Sequence, residues 1–179
     1  FLEAHTSRCK FNVCRFGNVS YSHGSVLPYW LRLKASNLPL PLTDKRMNRL
    51  LISKTDAANI MYDALCRSEK DESPFIITKR MKSVNMYSLA KLLSDNVEVV
   101  GLRSGEKLNE TLISERELDY TFVEKDHILI RDFKNPNNNK LSTKFSSENA
   151  KLMDDQEMRN VLEETTESVG ETLLKAKIY

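Results

Sequence analysis

The sequence predicts an α/β fold, and three observations carry that prediction. Short apolar runs alternate along the chain with segments whose apolar residues recur at helical spacing. Four of the five glycines fall in two short stretches, RFGNV (Arg15 to Val19) running into HGSVLP (His23 to Pro28), and GLRSGEKLNE (Gly101 to Glu110). Each stretch follows an apolar run and places a polar or cationic group on a turn, which is how a strand end presents a side chain to an anionic ligand. In a chain this poor in glycine the clustering marks sites where backbone shape is specified, and the two stretches read as two walls of one pocket.

The elements follow in order. FNVCRF (Phe11 to Phe16) has the short apolar character of a buried, parallel strand, ended by a glycine turn. Gly24 and Ser25 then stand where a helix is capped and Pro28 suits its first turn. Val26, Leu27, Trp30, Leu31 and Leu33 supply an apolar stripe, so a helix is expected from Ser25 to Ser36. Pro39 and Pro41 break the chain. LTDKRMNRLLI passes from a turn at Asp44 into a short strand, and Ser53 with Asp56 forms a capping box for a helix that buries Ala57, Ile60, Met61, Ala64 and Leu65.

PFIIT (Pro74 to Thr78) is the next strand. Met86, Leu89, Ala90 and Leu93 recur at i, i+3, i+4 and i+7 and predict a helix, and VEVVGL (Val97 to Leu102) is a strand that delivers the second glycine motif. YTFVEKDHILI (Tyr120 to Ile130) adds a strand or hairpin. NPNNNK (Asn135 to Lys140) reads as a linker, after which Asp154 or Asp155 opens a helix with Met158, Val161, Leu162 and Val169 on one face. The division expected is therefore 1–134 and a linker with helical tail over 135–179.

Bulk properties exclude several classes. The 179 residues amount to one domain, or a large part of a two-domain protein. A net charge of +2 gives no electrostatic case for a nucleic-acid or membrane partner. Cys9, Cys14 and Cys66 form no CxxC pair and stand near no histidine at zinc spacing, so reduced thiols, a cytosolic compartment and no metal are expected. No apolar run approaches the ~20 residues that span a bilayer, which predicts a soluble chain. The opening at Phe1, with a strand reached almost at once, predicts a cut through an existing fold.

Chemistry concentrates in few places. Arg103 offers a planar fork of donors to phosphate oxygens, and Glu106 three residues later can accept two hydrogen bonds from a ribose diol. The same segment equally reads as a surface Arg103–Glu106 ion pair beside a turn glycine. Arg46 and Arg49 flank Asn48 before an apolar strand. Either could reach the same phosphates, though solvated charge is the preferred reading of Arg46. Asn18 after Gly17 fills a left-handed turn or points an amide at ligand. Ser25 opens a helix, a place for an anion or a sugar hydroxyl as well as for a simple cap. His5, His23 and His127 are scattered and no nucleophile has a motif around it, so a hydrolytic triad has no support. No two glycines stand at the spacing of a dinucleotide fingerprint.

These segments, in order, resemble the C-terminal half of the nucleotide-sugar 4,6-dehydratases of the extended short-chain dehydrogenase/reductase superfamily. Within it they are most similar to the inverting UDP-N-acetylglucosamine 4,6-dehydratases of the CapD-like polysaccharide-biosynthesis family. The resemblance runs through FNVCRFGNV, SHGSVLPYW, PLTDKRMNRLLIS, TDAANIMYDAL, PFIITKRMKSVNMYSLAKLL and VEVVGLRSGEKLNETLIS, most of residues 10 to 130. FSSENAKLMDDQEMRNVLEE resembles the family's tail, in which a Tyr/Phe-Ser-Ser…Asn element precedes a last helix.

The resemblance implies the late strands of a doubly wound, Rossmann-like parallel sheet plus a smaller α/β substrate-binding domain. It implies that Phe16 and Val19 lie near an NADP cofactor and that Asn18 faces substrate. Ser25 and Val26 would lie against the nucleotide sugar, while Arg49, Arg103 and Glu106 would meet diphosphate and ribose. Tyr21 stands where a glycine is usual and His23 where arginine is common, which reshapes the loop around the sugar. Ser104 replaces a usual proline and Asn109 a usual histidine.

The family's glycine-rich cofactor loop, Thr-Asp-Lys segment and Tyr/Met-x-x-x-Lys element precede this region and are not in this sequence. The expectation is thus of no catalytic residue in this chain, which alone would be inactive. The intact enzyme would oxidise the sugar at C4, eliminate water across C5 and C6 and reduce C6, as a cytoplasmic homo-oligomer. A UDP-sugar epimerase of the same superfamily and a non-catalytic UDP-sugar-binding remnant are the alternatives.

Overall fold

A computed structural model of the chain describes residues 11–71, 73–136 and 139–163. In chain order the elements are β1 (Val13–Cys14), β2 (Asn18–Val19), α1 (Val26–Ala35), β3 (Leu40–Leu42), β4 (Asn48–Ile52), α2 (Lys54–Lys70), β5 (Ile76–Lys79) and β6 (Lys82–Asn85). They continue with α3 (Met86–Leu93), β7 (Val97–Val99), β8 (Thr111–Ile113), a 3-10 turn (Glu115–Tyr120), β9 (Thr121–Glu124), β10 (His127–Ile130) and β11 (Phe145–Ser146). A helix α4 covers 155–163; Val169, expected on its apolar face, lies outside the described residues, as do Cys9 and His5.

The α/β class holds, and the described strands form several small sheets with parallel and antiparallel pairs, where late strands of a parallel sheet and a smaller α/β domain were expected. The largest has the order β1-β5-β10-β9, with β1 parallel to β5 (Val13 opposite Ile76) and β10 antiparallel to both β5 and β9. A second sheet, β2-β4-β6, pairs β2 parallel and β6 antiparallel to β4. β3 pairs with β7 in parallel, and β8 with β11 antiparallel. Alternation of helix and strand does not say whether a chain returns to the sheet it left. Here β5 and β6, separated only by Arg80 and Met81, belong to different sheets.

Two apolar clusters result. Ile60, Ala64, Phe75, Ile77, Ile113, Ile128 and Leu129 centre one, beneath α2. Leu27, Trp30, Leu40, Leu50's neighbour Leu51, Val84, Met86 and Leu89 centre the other, between α1 and α3. The segment from Leu141 onward serves both, since Leu141, Phe145 and Ala150 enter the first while Met158 enters the second.

Local expectations fare unevenly. α1 runs between Ser25 and Ser36 as its caps, as the spacing predicts. α3 buries Met86, Leu89, Ala90 and Leu93. Ser53 caps α2 by accepting the Asp56 N–H at 3.0 Å, but the Asp56 carboxylate turns to the Ser53 hydroxyl and Lys79 instead of closing a capping box. α2 buries Ala57, Ile60 and Ala64, whereas Met61 and Leu65 are 58% and 64% exposed. Each is one residue, about 100° of helical rotation, past the stripe that faces the sheet.

FNVCRF is shorter and less buried than expected: only Val13–Cys14 pair, both half-buried. The VEVVGL strand stops at Val99, and Val99, Val100 and Leu102 are exposed. Asn135, expected in a linker, is buried and donates its side-chain amide to the Thr121 carbonyl at 2.6 Å.

Candidate functional site

The passage from β1 to β2 builds one wall. It leaves the first sheet at Arg15, whose guanidinium holds the Leu112 carbonyl at 2.8 Å and Glu117 at 2.9 Å, and enters the second at Asn18. Between them Gly17 lies against β4 so closely that a Cβ there would stand 2.6 Å from the Leu50 carbonyl oxygen. Glycine is required by close backbone approach here, and by positive φ at Gly24 (76°), Gly101 (87°) and Gly105 (81°).

Beyond β2 the chain turns through Tyr21, which adopts φ 53° at the position expected for glycine. Its ring is buried in the second cluster and its hydroxyl donates to the Val161 carbonyl of α4 at 2.9 Å, contacts that offset the left-handed backbone. α1 then starts at Ser25. Its hydroxyl makes no cap bond, and among the described residues its Oγ is buried without a hydrogen-bond partner. An N-cap serine ordinarily spends that oxygen on its own helix, so this one is free to meet something else.

Asn18, Val19, Tyr21, Gly24, Ser25 and Val26 line one side of a cleft of about 330 Å³. Trp30, Leu42, Thr43, Met47, Arg49, Leu51, Met86, Leu89 and Glu106 complete it. Trp30 is itself pinned, its indole N–H donating to the Pro41 carbonyl at 3.0 Å. An apolar interior with few convergent polar groups is the usual character of a small-molecule site.

Arg49 is the joint of the cleft. Its guanidinium donates to the carbonyls of Asn48, Leu108 and Lys107, each at 3.0 Å, and its Nε lies 3.3 Å from Glu110. Glu106 stands 3.8 Å away, with one carboxylate oxygen accepting from the Thr43 hydroxyl and the other from the Arg103 backbone N–H. Glu110 also accepts from the Asn18 amide at 2.9 Å.

The glycine motif after β7 is thereby bolted onto β2 and β4. Its far end is fixed by the Phe-Ser-Ser element: the Ser147 N–H donates to the Glu110 carbonyl, the Glu110 N–H to the Ser147 hydroxyl, and the Ser83 hydroxyl to the Ser147 carbonyl.

Of the sequence-selected residues, Asn18, Val19, Ser25, Val26, Arg49 and Glu106 line this cleft. Phe16 lies in an adjoining shallow groove with Gly17, Asn18, Lys107 and Glu110. Arg103 is exposed on the Gly101–Gly105 turn and is not among the cleft's lining residues; its side chain forms no ion pair with Glu106. Arg46 pairs with Asp44 through two hydrogen bonds and holds that carboxyl down at about 2, so its charge is already engaged. Sequence reasoning missed Thr43 and Glu110. Thr43 meets Glu106 in the loop after β7 and Glu110 meets Asn18 on β2 and Arg49 on β4, partners distant in sequence, and no local signal marks either residue.

Among the described residues no group of His, Cys, Asp and Glu is placed to hold a metal ion, and no helix is long and apolar enough to cross a membrane.

The strand ends and the helix start of this α/β scaffold converge on a polar-edged, apolar-floored cleft, and the chain's likeness to known proteins gives its family. A model of the family described as polysaccharide biosynthesis protein matches residues 2–132, and the chain belongs to that family. It is 34% identical over 122 residues to the UDP-N-acetylglucosamine 4,6-dehydratase (inverting) of Campylobacter jejuni, a match covering 66% of this chain and 36% of that protein. It is 31% identical over 114 residues to a UDP-glucose 4-epimerase of Rickettsia bellii, covering 60% of this chain and 33% of that one. Among solved structures, that of Pen from Bacillus thuringiensis is similar with a TM-score of 0.77 at 22% identity, over 89% of this chain and 50% of that chain. The chain spans between a third and a half of the length of these proteins. It is thus a partial-length relative of nucleotide-sugar dehydratases and epimerases.

Proposed function

We propose that this chain is the substrate-holding half of a nucleotide-sugar 4,6-dehydratase that acts on UDP-N-acetylglucosamine in surface-glycan biosynthesis. The observation that carries the reading is the buried, unpartnered Ser25 hydroxyl, held at the start of α1 in a cleft that also contains Asn18, Arg49 and Glu106. A sugar hydroxyl or phosphate oxygen would satisfy it, because a buried polar group left without a partner is costly. Asn18 would orient the hexose from β2. Glu106 would accept from a ribose hydroxyl, and the diphosphate would be neutralised by Arg49 from β4 and by Arg103 from the Gly101–Gly105 turn.

Phe16 and Val19 offer apolar surface on either side of Asn18, which fits the face of a nicotinamide ring, but they bring no phosphate-holding group. NADP, when bound, would supply the hydride chemistry at C4 and C6. This chain's residues bind and orient, so that the reacting carbons of the sugar meet the cofactor in a fixed geometry. None of them is assigned a proton-transfer role.

The likeness to UDP-glucose 4-epimerases supports a second reading, in which the same cleft presents C4 of the sugar alone for oxidation and re-reduction. One experiment separates the two. UDP-N-acetylglucosamine is titrated into the chain by calorimetry, then incubated with the chain, NADP and a co-expressed cofactor-binding half. Loss of water by mass with appearance of a 4-keto sugar supports the dehydratase, a C4 epimer without mass change the epimerase, and absence of binding refutes both.

A further inference from the structure

A second cavity, of about 400 Å³, opens where the tail crosses the β5–β6 turn, and it shares no lining residue with the nucleotide-sugar cleft. Four cations line it, Arg80, Lys82, Lys144 and Lys151, and no carboxylate does. The chain as a whole has 27 Lys and Arg against 25 Asp and Glu, so a wall of one sign is not a reflection of overall charge. Lys82 and Lys144 have acidic partners outside the cavity, Glu157 and Glu148, while Arg80 and Lys151 have no carboxylate within ion-pair distance among the described residues. The hydroxyls of Ser142 and Thr143 stand beside them.

The surroundings are built. The floor is the buried apolar set Met81, Leu141, Phe145 and Ala150, a low-dielectric surface beneath the charges. Asn149 closes the loop above it, accepting from the Ser146 N–H at 2.9 Å and donating to the Lys144 carbonyl. The Ser83 N–H bonds the Lys151 carbonyl at 2.8 Å, and Ser83 bridges Leu152 in parallel, so a single bridge seats the tail beside β6. Lys144 and Lys151 are thereby set on one fixed loop, and they line the cavity together with Arg80 of the β5–β6 turn. Cations over an apolar floor focus potential on the space between them, and guanidinium with ammonium donors is a phosphate-binding set.

We propose that this cavity is a second anion site that takes the phosphate group or groups of a ligand, free or on a lipid headgroup. Its volume exceeds one phosphate and falls within the range of small-molecule sites.

The test uses the full chain, inorganic pyrophosphate as probe, and vesicles of phosphatidic acid in phosphatidylcholine as a second arm. Arg80→Gln with Lys151→Gln removes two cations whose side chains make no ion pair among the described residues. The pyrophosphate site of this cavity should weaken about tenfold or more in that double variant, and Thr143→Asp, which puts a carboxylate at the rim, should remove that one site from the titration. Both variants should melt as the parent does and should bind UDP at the first cleft as the parent does. Vesicle binding lost in the same variants, without binding of free pyrophosphate, would assign the phosphate to a lipid headgroup. Pyrophosphate binding whose number of sites and affinity are the same in the double variant as in the parent, vesicle binding that survives the double variant, or no saturable binding of either probe by the parent chain, overturns the proposal.

Discussion

The side-chain amide of Asn18 donates to Glu110, 92 residues away, at 2.9 Å, while the other oxygen of the same carboxylate lies 3.3 Å from Arg49 Nε. One carboxylate therefore fixes the orientation of a residue on β2 and a residue on β4, both of which line the cleft. Glu110→Ala should cost about 1 kcal/mol of stability, a charged hydrogen bond discounted for a side chain that is 44% exposed. It should also weaken UDP binding, because Asn18 and Arg49 lose their common anchor. Glu110→Gln should retain part of both, since one acceptor oxygen remains. Urea denaturation and calorimetry read the two effects separately.

Arg103 is the exposed cation of the glycine turn, without an ion pair to Glu106. Arg103→Ala should weaken UDP binding by about 1.5–3 kcal/mol, the worth of a charge-assisted hydrogen-bond pair. Arg103→Lys should restore only part, since a point charge does not reproduce the planar fork. An unchanged UDP affinity in Arg103→Ala would remove this residue from the site.

Gly17→Ala places a methyl group against the backbone of β4, 2.6 Å from the Leu50 carbonyl oxygen and 2.8 Å from its Cβ. Backbone cannot swing aside as a flexible side chain does, so overpacking should cost about 1–3 kcal/mol. A lowered thermal midpoint checks this, and the accompanying shift of β2 should reduce UDP affinity. Gly24→Ala meets no neighbour and is disfavoured only by its backbone angle, so it should cost less.

Stability should drain away in acid. The Arg131 guanidinium bonded to Asp71 holds that carboxyl below its ordinary value, and Lys79 does the same for Asp56. Both groups are more acidic folded than unfolded, so their contribution is complete above the unfolded value of about 4 and is lost as pH falls through the folded values. Asp71→Asn should therefore lower the thermal midpoint near neutrality and narrow the gap between midpoints measured at about pH 7 and about pH 3. An undiminished gap would mean that other carboxylates govern acid unfolding.

What the sequence discloses depends on the range of the signal. α1 and α3 are legible because cap and stripe sit within a few residues of each other, Ser25 with Leu27 and Trp30, and Met86 with Leu89, Ala90 and Leu93. β3 is hidden because it contains Pro41. The proline is tolerated there since β3 pairs on one side only, with β7, and needs no donor on the other.

The helical period of α2 locates Ile60 and Ala64 but not the edge of the stripe, which is why Met61 and Leu65 are exposed. Of the cleft, the glycine motifs and Ser25, Arg49 and Glu106 can be read from local pattern. Thr43 and Glu110 cannot, because their meaning lies in Glu106, Asn18 and Arg49, which only the folded chain brings beside them.

The segment that begins at Leu141 gives Phe145 and Ala150 to the cluster under α2, and Met158, Val161 and Leu162 to the cluster between α1 and α3. Neither cluster can open without loosening the same stretch of chain. The two should behave as one foldon in hydrogen exchange, with amides of β10 and α3 released at a common free energy. A proteolytic cut within this stretch would accordingly act at a distance, slackening the wall that carries Ser25 and the joint that carries Arg49 together.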